Sequence, residues 1–186
     1  MKVLGVSGSL RSGSHNTALL RAAVELLPAG AELEVWDGLR AVPPYDEDGD
    51  VDPAPPAVAA LRAALAGADA VLFSTPEYNS SIPGQLKNAI DWASRPIATN
   101  VLRNMPVAVV GASTGAFGAV WAQAELRKVL ATLGARVVEG EVPVGHAPQK
   151  FDASGRLADE NLREQLAEVV DELVDAVQAR EAAVAA

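Results

Sequence analysis

The chain contains no cysteine. Disulfides, thiolate-bound metals and thiol redox chemistry are thereby excluded. Histidine is nearly as scarce: His15 and His146 lie far apart in sequence, too sparse a supply for a histidine-rich metal site. Positive charge is short as well. Fifteen Lys and Arg stand against 24 Asp and Glu, a net charge of −9, and such a surface argues against a nucleic-acid partner. A phosphorylated small ligand stays open, since it needs only a local cradle of amides and one cation. No apolar run approaches the ~20 residues of a membrane span. Met1 leads straight into a strand-like segment without a basic stretch before it, so the chain reads as soluble and cytoplasmic.

What is present is ordinary globular material. With 186 residues, 49% of them hydrophobic, there is enough chain for one domain with a sizeable core. Lys2–Val6, Asp69–Thr75 and Pro106–Gly111 are short apolar runs, and such runs suit parallel strands covered on both faces. Ala31–Asp37 alternates apolar and polar, and Arg136–Val144 is a weaker, interrupted fifth candidate.

Between them the spacing turns helical, at Asn16–Leu27, Val58–Leu65, Gly84–Ala93 and Ala119–Leu133. In Asn161–Gln178 the apolar positions Leu162, Leu166, Val169, Val170, Leu173 and Val177 fall on one helical face. Strands alternating with helices predict an α/β fold, a doubly wound five-stranded parallel sheet with helices on both faces. Residues 1–180 form the expected single domain, and 181–186 an Ala-rich tail expected to fray. The acidic stretch Asp46–Asp52 lacks the Gly and Glu of a calcium-binding loop at the required positions, where Val51 and Ala57 stand, and reads as a solvated loop.

Three loops carry the chemistry. Gly5–Asn16 follows the first strand and opens the first helix. Its small residues let backbone amides approach an anion, and the helix start adds unpaired N–H groups. Ser9 and Ser14 offer hydroxyls, Arg11 a forked cation and Asn16 an amide. The dinucleotide fingerprint G-x-G-x-x-G is missing, and the hydroxyl-rich composition suits a terminal phosphomonoester. After the third strand, the stiff loop Pro76–Pro83 presents Glu77, Tyr78 and Asn79, a wall for a flat heteroaromatic ring. After the fourth, Gly111–Gly118 offers close backbone approach with Ser113 and Thr114. In a parallel sheet all three loops converge on one edge.

These residues resemble the NADPH-dependent FMN reductase family, which is flavodoxin-like and includes quinone, azo-dye and chromate reductases. The matching stretches are G-S-L-R-x-x-S-x-N at Gly8–Asn16, P-E-Y-N at Pro76–Asn79 and G-A-S-x-G at Gly111–Gly115. P-G-x-L-K-N-A-I-D-W at Pro83–Trp92 and A-Q-x-x-L-R at Ala122–Arg127 extend the likeness over nearly the whole chain. The resemblance implies that Ser9, Arg11, Ser14 and Asn16 hold the phosphate of FMN. It implies that Pro76, Glu77, Tyr78 and Asn79 line the isoalloxazine, with Ser113 and Gly115 near its pyrimidine edge.

It further implies hydride transfer from NADPH or NADH to the flavin and onward to a quinone, free flavin or another small-molecule electron acceptor. No side chain need act as general acid or base. A homodimer or homotetramer is implied, with Lys87 and Asp91 near subunit contacts; read from spacing alone, the two form a surface i,i+4 ion pair. Many members carry Arg directly before the A-Q pair, where this chain has Trp121, a position that reads as packing. His15 is expected to be exposed at the helix start. Rival readings are a flavodoxin-like carrier without its own NAD(P)H oxidation, a Rossmann dehydrogenase with Asp37 on a ribose, and an interaction domain without cofactor.

Overall fold

The computed structural model describes residues 1–185. Strands β1 (Lys2–Ser7), β3 (Ala70–Thr75) and β4 (Pro106–Ala112) are buried almost end to end, as their apolar runs require. With β2 (Glu32–Trp36) they form a parallel sheet in the order β2-β1-β3-β4, continued by β5 (Arg136–Val137). Helices cover both faces. Leu4, Val6, Val71, Phe73, Val107 and Val109 point to α2 (Pro56–Ala66), α3 (Gly84–Ala93) and α4 (Val120–Thr132). The alternate residues Val3, Leu72, Ala108 and Val110 point to α1 (His15–Val24) and α5 (Glu160–Ala185). This period-two division of the strands makes two cores share one sheet.

The interrupted fifth segment is not one strand. Arg136 and Val137 pair with Pro106 and Val107 on β4, whereas the pairing of Pro143 with Gly111, counted on from Arg136 and Pro106, belongs to a separate short strand, β6 (Pro143–Val144). Seven residues thus oppose five on β4, and the excess bulges out. The bulge is pinned from both faces. Arg127 of α4 donates to the carbonyls of Val138 (2.7 Å), Glu139 (2.6 Å) and Gly140 (2.9 Å), while Glu172 of α5 accepts the Gly140 N–H at 2.8 Å.

Two helix ends also differ from the periodicity. α1 stops at Val24, before Leu27, with Pro28 next in line. α5 continues through Ala185, so the stretch from Glu181 is helical where a frayed tail was expected; alanine is the strongest helix former. Ala186 lies outside the described residues. In the acidic loop, Asp50 is paired with Arg62 at 2.8 Å.

Candidate functional site

The loops after β1, β3 and β4 meet at the C-terminal edge of the sheet around an open cleft of about 510 Å³, solvent at its mouth included. They can approach so closely because the first carries a glycine. A Cβ on Gly8 would come within 2.9 Å of Leu86 and 3.2 Å of Pro76.

At the β1 end, Ser14 caps α1: its hydroxyl oxygen accepts from the N–H groups of Asn16 (3.1 Å) and Thr17 (3.3 Å). The hydroxyl proton remains available for a ligand. Ser7 Oγ accepts from the Ser9 N–H (3.3 Å) and from Thr17 Oγ1 (3.1 Å), tying the loop to the helix. Among the described residues, the amides of Leu10, Ser12, Gly13 and Ser14 donate to no protein acceptor. Arg11 is exposed and forms no ion pair among those residues. Unspent N–H groups at a helix start, a hydroxyl proton and a guanidinium together make an anion cradle.

His15 is not the free surface residue that its loop position suggested. It lines the cleft, is partly buried and stacks on Phe151 with ring centroids 5.5 Å apart. Burial, and then the charge of Arg11, hold its pKa below 6.5. Phe151 reaches it from a small hairpin closed by pairing with Leu157. Nothing local in the sequence around Phe151 signalled that contact.

Asn16 is buried and turned into the protein. Its amide N–H donates to the Ala112 carbonyl, and its oxygen accepts from the Ala112 N–H and the Ser74 hydroxyl, all at 2.9 Å. Three of its four hydrogen-bonding positions are therefore spent on bracketing α1 to β3 and β4, leaving one N–H. Glu77 has a similar fate. Its carboxylate accepts from the N–H groups of Trp121 (3.0 Å) and Ala122 (3.1 Å), capping α4. Ala119, at the head of that helix, has no side chain able to do so.

Pro76, Glu77 and Tyr78 border the other end of the cleft with Ser113, Thr114 and Ala112. Tyr78 is 54% exposed, which leaves its ring available. Asn79 and Gly115 are exposed and lie outside the cleft lining. Asn79 and Ser80 instead take positive φ (53° and 60°) in a two-residue turn closed by reciprocal Tyr78–Ser81 hydrogen bonds, a conformation that Asn tolerates better than most residues. The Gly115 carbonyl accepts the His146 N–H at 2.8 Å, and that of Ser113 the Ala147 N–H at 3.0 Å, so the segment after β6 holds the β4 loop in place. Gln123 of the A-Q pair is fully buried, and its Nε2 donates to the Gly118 carbonyl at 2.8 Å. Lys87 and Asp91 form an ion pair at 2.6 Å on the half-exposed side of α3.

An anion-binding loop at one end and an exposed aromatic at the other, on a sheet ordered 2-1-3-4-5, define a flavodoxin-like mononucleotide-binding protein. The comparisons narrow this class. Residues 1–149 match the family model described as NADPH-dependent FMN reductase. The chain is 48% identical over 165 residues to the NAD(P)H-dependent FMN reductase PA1204 of Pseudomonas aeruginosa, an alignment covering 88% of each protein. It is 38% identical to a 2-hydroxy-1,4-benzoquinone reductase of Burkholderia sp, over 92% of this chain and 93% of that one. Among solved structures it is similar to FerB of Paracoccus denitrificans, a flavoenzyme NAD(P)H:(acceptor) oxidoreductase. The TM-score is 0.84 and the identity 35%, over 96% of this chain and 97% of the other. A flavodoxin from Pseudomonas aeruginosa shares the fold at a TM-score of 0.59 and 20% identity, over 93% of this chain and 99% of that one.

The chain belongs to the NADPH-dependent FMN reductase family. It is an NAD(P)H-dependent flavin oxidoreductase with FMN as cofactor.

Proposed function

We propose that the cleft holds FMN with its phosphate in the β1 loop and its ring against Pro76, Glu77, Tyr78 and Ser113, and that the enzyme reduces quinone-type acceptors. The observation that carries this reading is the polarity of the cleft: Ser14, with an unspent amide and hydroxyl proton, and the unpaired Arg11 line one end, and a half-exposed tyrosine lines the other. That donor set fits a phosphomonoester joined to a flat ring. FMN, when bound, supplies the redox chemistry, taking electrons from NAD(P)H and passing them on.

The chain's own residues bind and orient. Ser9, Ser14 and Arg11 contact the phosphate. Asn16 acts mainly through the bracket that sets the loop, with one N–H left over. Glu77 fixes the loop that carries Tyr78, while Asn79 and Gly115 shape their turns without touching the ring. The acceptor class follows the relatives named for benzoquinone and quinone reduction.

The chain acts as one domain in the cytoplasm, where its reductant is found, and self-associates as a dimer or tetramer. Phe117 and Trp121 meet edge to face at 5.0 Å while 65% and 49% exposed, and clustered exposed aromatics mark an interaction surface. Trp121 is thus a surface residue, outside the core.

The test is direct. Protein loaded with FMN should show a visible flavin spectrum that NAD(P)H bleaches, and should oxidise NAD(P)H at steady state with a benzoquinone. A carrier would bind FMN without turnover. Sedimentation at several concentrations reads the oligomeric state.

A further inference from the structure

The loop that forms the anion end of the cleft has a second side. Toward β2 it borders another open cavity, of about 610 Å³, walled by Trp36 at the end of β2, by Asp37 and Arg40 just after it and by Ser9, Arg11 and Ser12 of the loop itself. Asp37 does not line the flavin cleft and directly follows β2. Here it stands exposed beside a half-buried indole and two guanidinium groups, and its carboxylate makes no hydrogen bond or ion pair among the described residues. The Trp36 ring lies over Gly38, where a Cβ would come within 2.5 Å of it. Arg40 donates to the Leu10 carbonyl, joining the β2 side of the cavity to the anion loop, and its remaining N–H groups have no acceptor among the described residues. Neither Arg11 nor Arg40 has a carboxylate partner among the described residues, in a chain where acidic side chains are in excess.

Position completes the picture. The strand order puts the cavity, the anion loop and the ring end of the cleft in a row along one edge, over β2, β1 and β3–β4. With neighbouring strands ~4.8 Å apart, cavity and ring end are separated by roughly 12 Å, a span that an extended dinucleotide bridges.

We infer that this cavity takes the adenosine-phosphate half of NAD(P)H, with the adenine on Trp36, the ribose hydroxyls on Asp37 and the phosphates on Arg40. Each pairing follows ordinary recognition chemistry. An indole face stacks a purine, a carboxylate accepts from vicinal hydroxyls, and a guanidinium grips phosphate. The inference rests on NAD(P)H being the reductant. It adds where the non-reacting half of that molecule lies, and that Asp37 governs the choice between NADH and NADPH.

The test uses oxidised, FMN-loaded protein titrated with 5′-AMP, followed by calorimetry and tryptophan fluorescence. AMP should bind without displacing FMN and should compete with NAD(P)H. Arg40→Ala should raise the KM of both dinucleotides about tenfold with kcat retained, as expected for a lost charge-assisted hydrogen bond made equally in ground and transition states. Asp37→Asn should shift preference toward NADPH by about fivefold, since a carboxylate on the ribose repels a 2′-phosphate. FMN affinity within about twofold of wild type confirms an intact loop, and Asp37→Asn, at an exposed position, keeps the test open should Arg40→Ala disturb it.

AMP that fails to bind or to compete, or an unchanged KM and preference with FMN binding intact, would overturn the inference. So would FAD binding more tightly than FMN in a manner dependent on Arg40, which would assign the cavity to a flavin adenylate. A protein that oxidises neither NADH nor NADPH would refute the functional reading itself.

Discussion

Replacing Asn16 with alanine removes three hydrogen bonds at once and strands their partners in the interior. Ser74 is 0% exposed and Ala112 2% exposed, so the orphaned Ala112 N–H and carbonyl cannot turn to bulk water. The Ser74 hydroxyl can rotate to another acceptor; the two backbone groups cannot. Leaving a buried polar group unpaired costs about 1–3 kcal/mol, so the substitution should cost about 3–5 kcal/mol in the apo-protein. That is a large part of the 5–15 kcal/mol typical of a domain, and at about 2–4 °C per kcal/mol it corresponds to roughly 6–20 °C in Tm. Urea unfolding of apo-protein reads the effect as a lower midpoint with an unchanged slope. A parallel fluorescence titration gives the FMN affinity. A residue that served only as a phosphate ligand would give the opposite result: unaltered apo stability with FMN binding lost. That outcome would refute the bracket.

Glu77→Ala should destabilise the apo-protein by about 1–2 kcal/mol through loss of the α4 cap, with Glu77→Gln less affected because it keeps an acceptor; equal melting of all three proteins would contradict the cap. Arg127→Met frees three carbonyls of the bulge at a cost of about 1–3 kcal/mol and should also weaken FMN, because β6 positions the segment that holds the β4 loop; unchanged affinity would break that link. His15 should titrate below 6.5 by NMR in apo-protein, lowered by burial and then by Arg11, and should move up in Arg11→Ala. Because its folded pKa lies beneath the unfolded value, this contribution is fully present above pH 6.5 and is lost as pH falls through that value toward the folded pKa, so a midpoint above 6.5 would reverse the sign. Asp152 should titrate at about 2, held there by the Ser154 hydroxyl and the Arg156 amide; a carboxyl shift with its midpoint near 3.8 would show the hairpin turn open in solution.

The architecture was legible in the chain because it rests on local pattern. Ala70–Phe73 and Val107–Val110 are apolar on consecutive residues, and runs this short and rich in β-branched and aromatic side chains suit a strand covered on both faces, while the stripe Leu166–Val177 is a helix face by its spacing. Parallel strands point their C-terminal ends the same way, so three loops at one edge follow from the strand pattern alone. The family likeness of those loops supplied FMN.

What stayed hidden depends on partners far away in sequence. Nothing near Asn16 says that its amide turns inward to Ala112, 96 residues on, or near Glu77 that its carboxylate closes a helix 44 residues later. The two-residue excess between β5 and β6 likewise shows only when both strands lie beside β4. Periodicity and composition are properties of neighbours along the chain and settle which faces are buried. The choice of a polar side chain between ligand and scaffold is made by whichever unsatisfied backbone group the folded chain brings within 3 Å, and that only the tertiary structure decides.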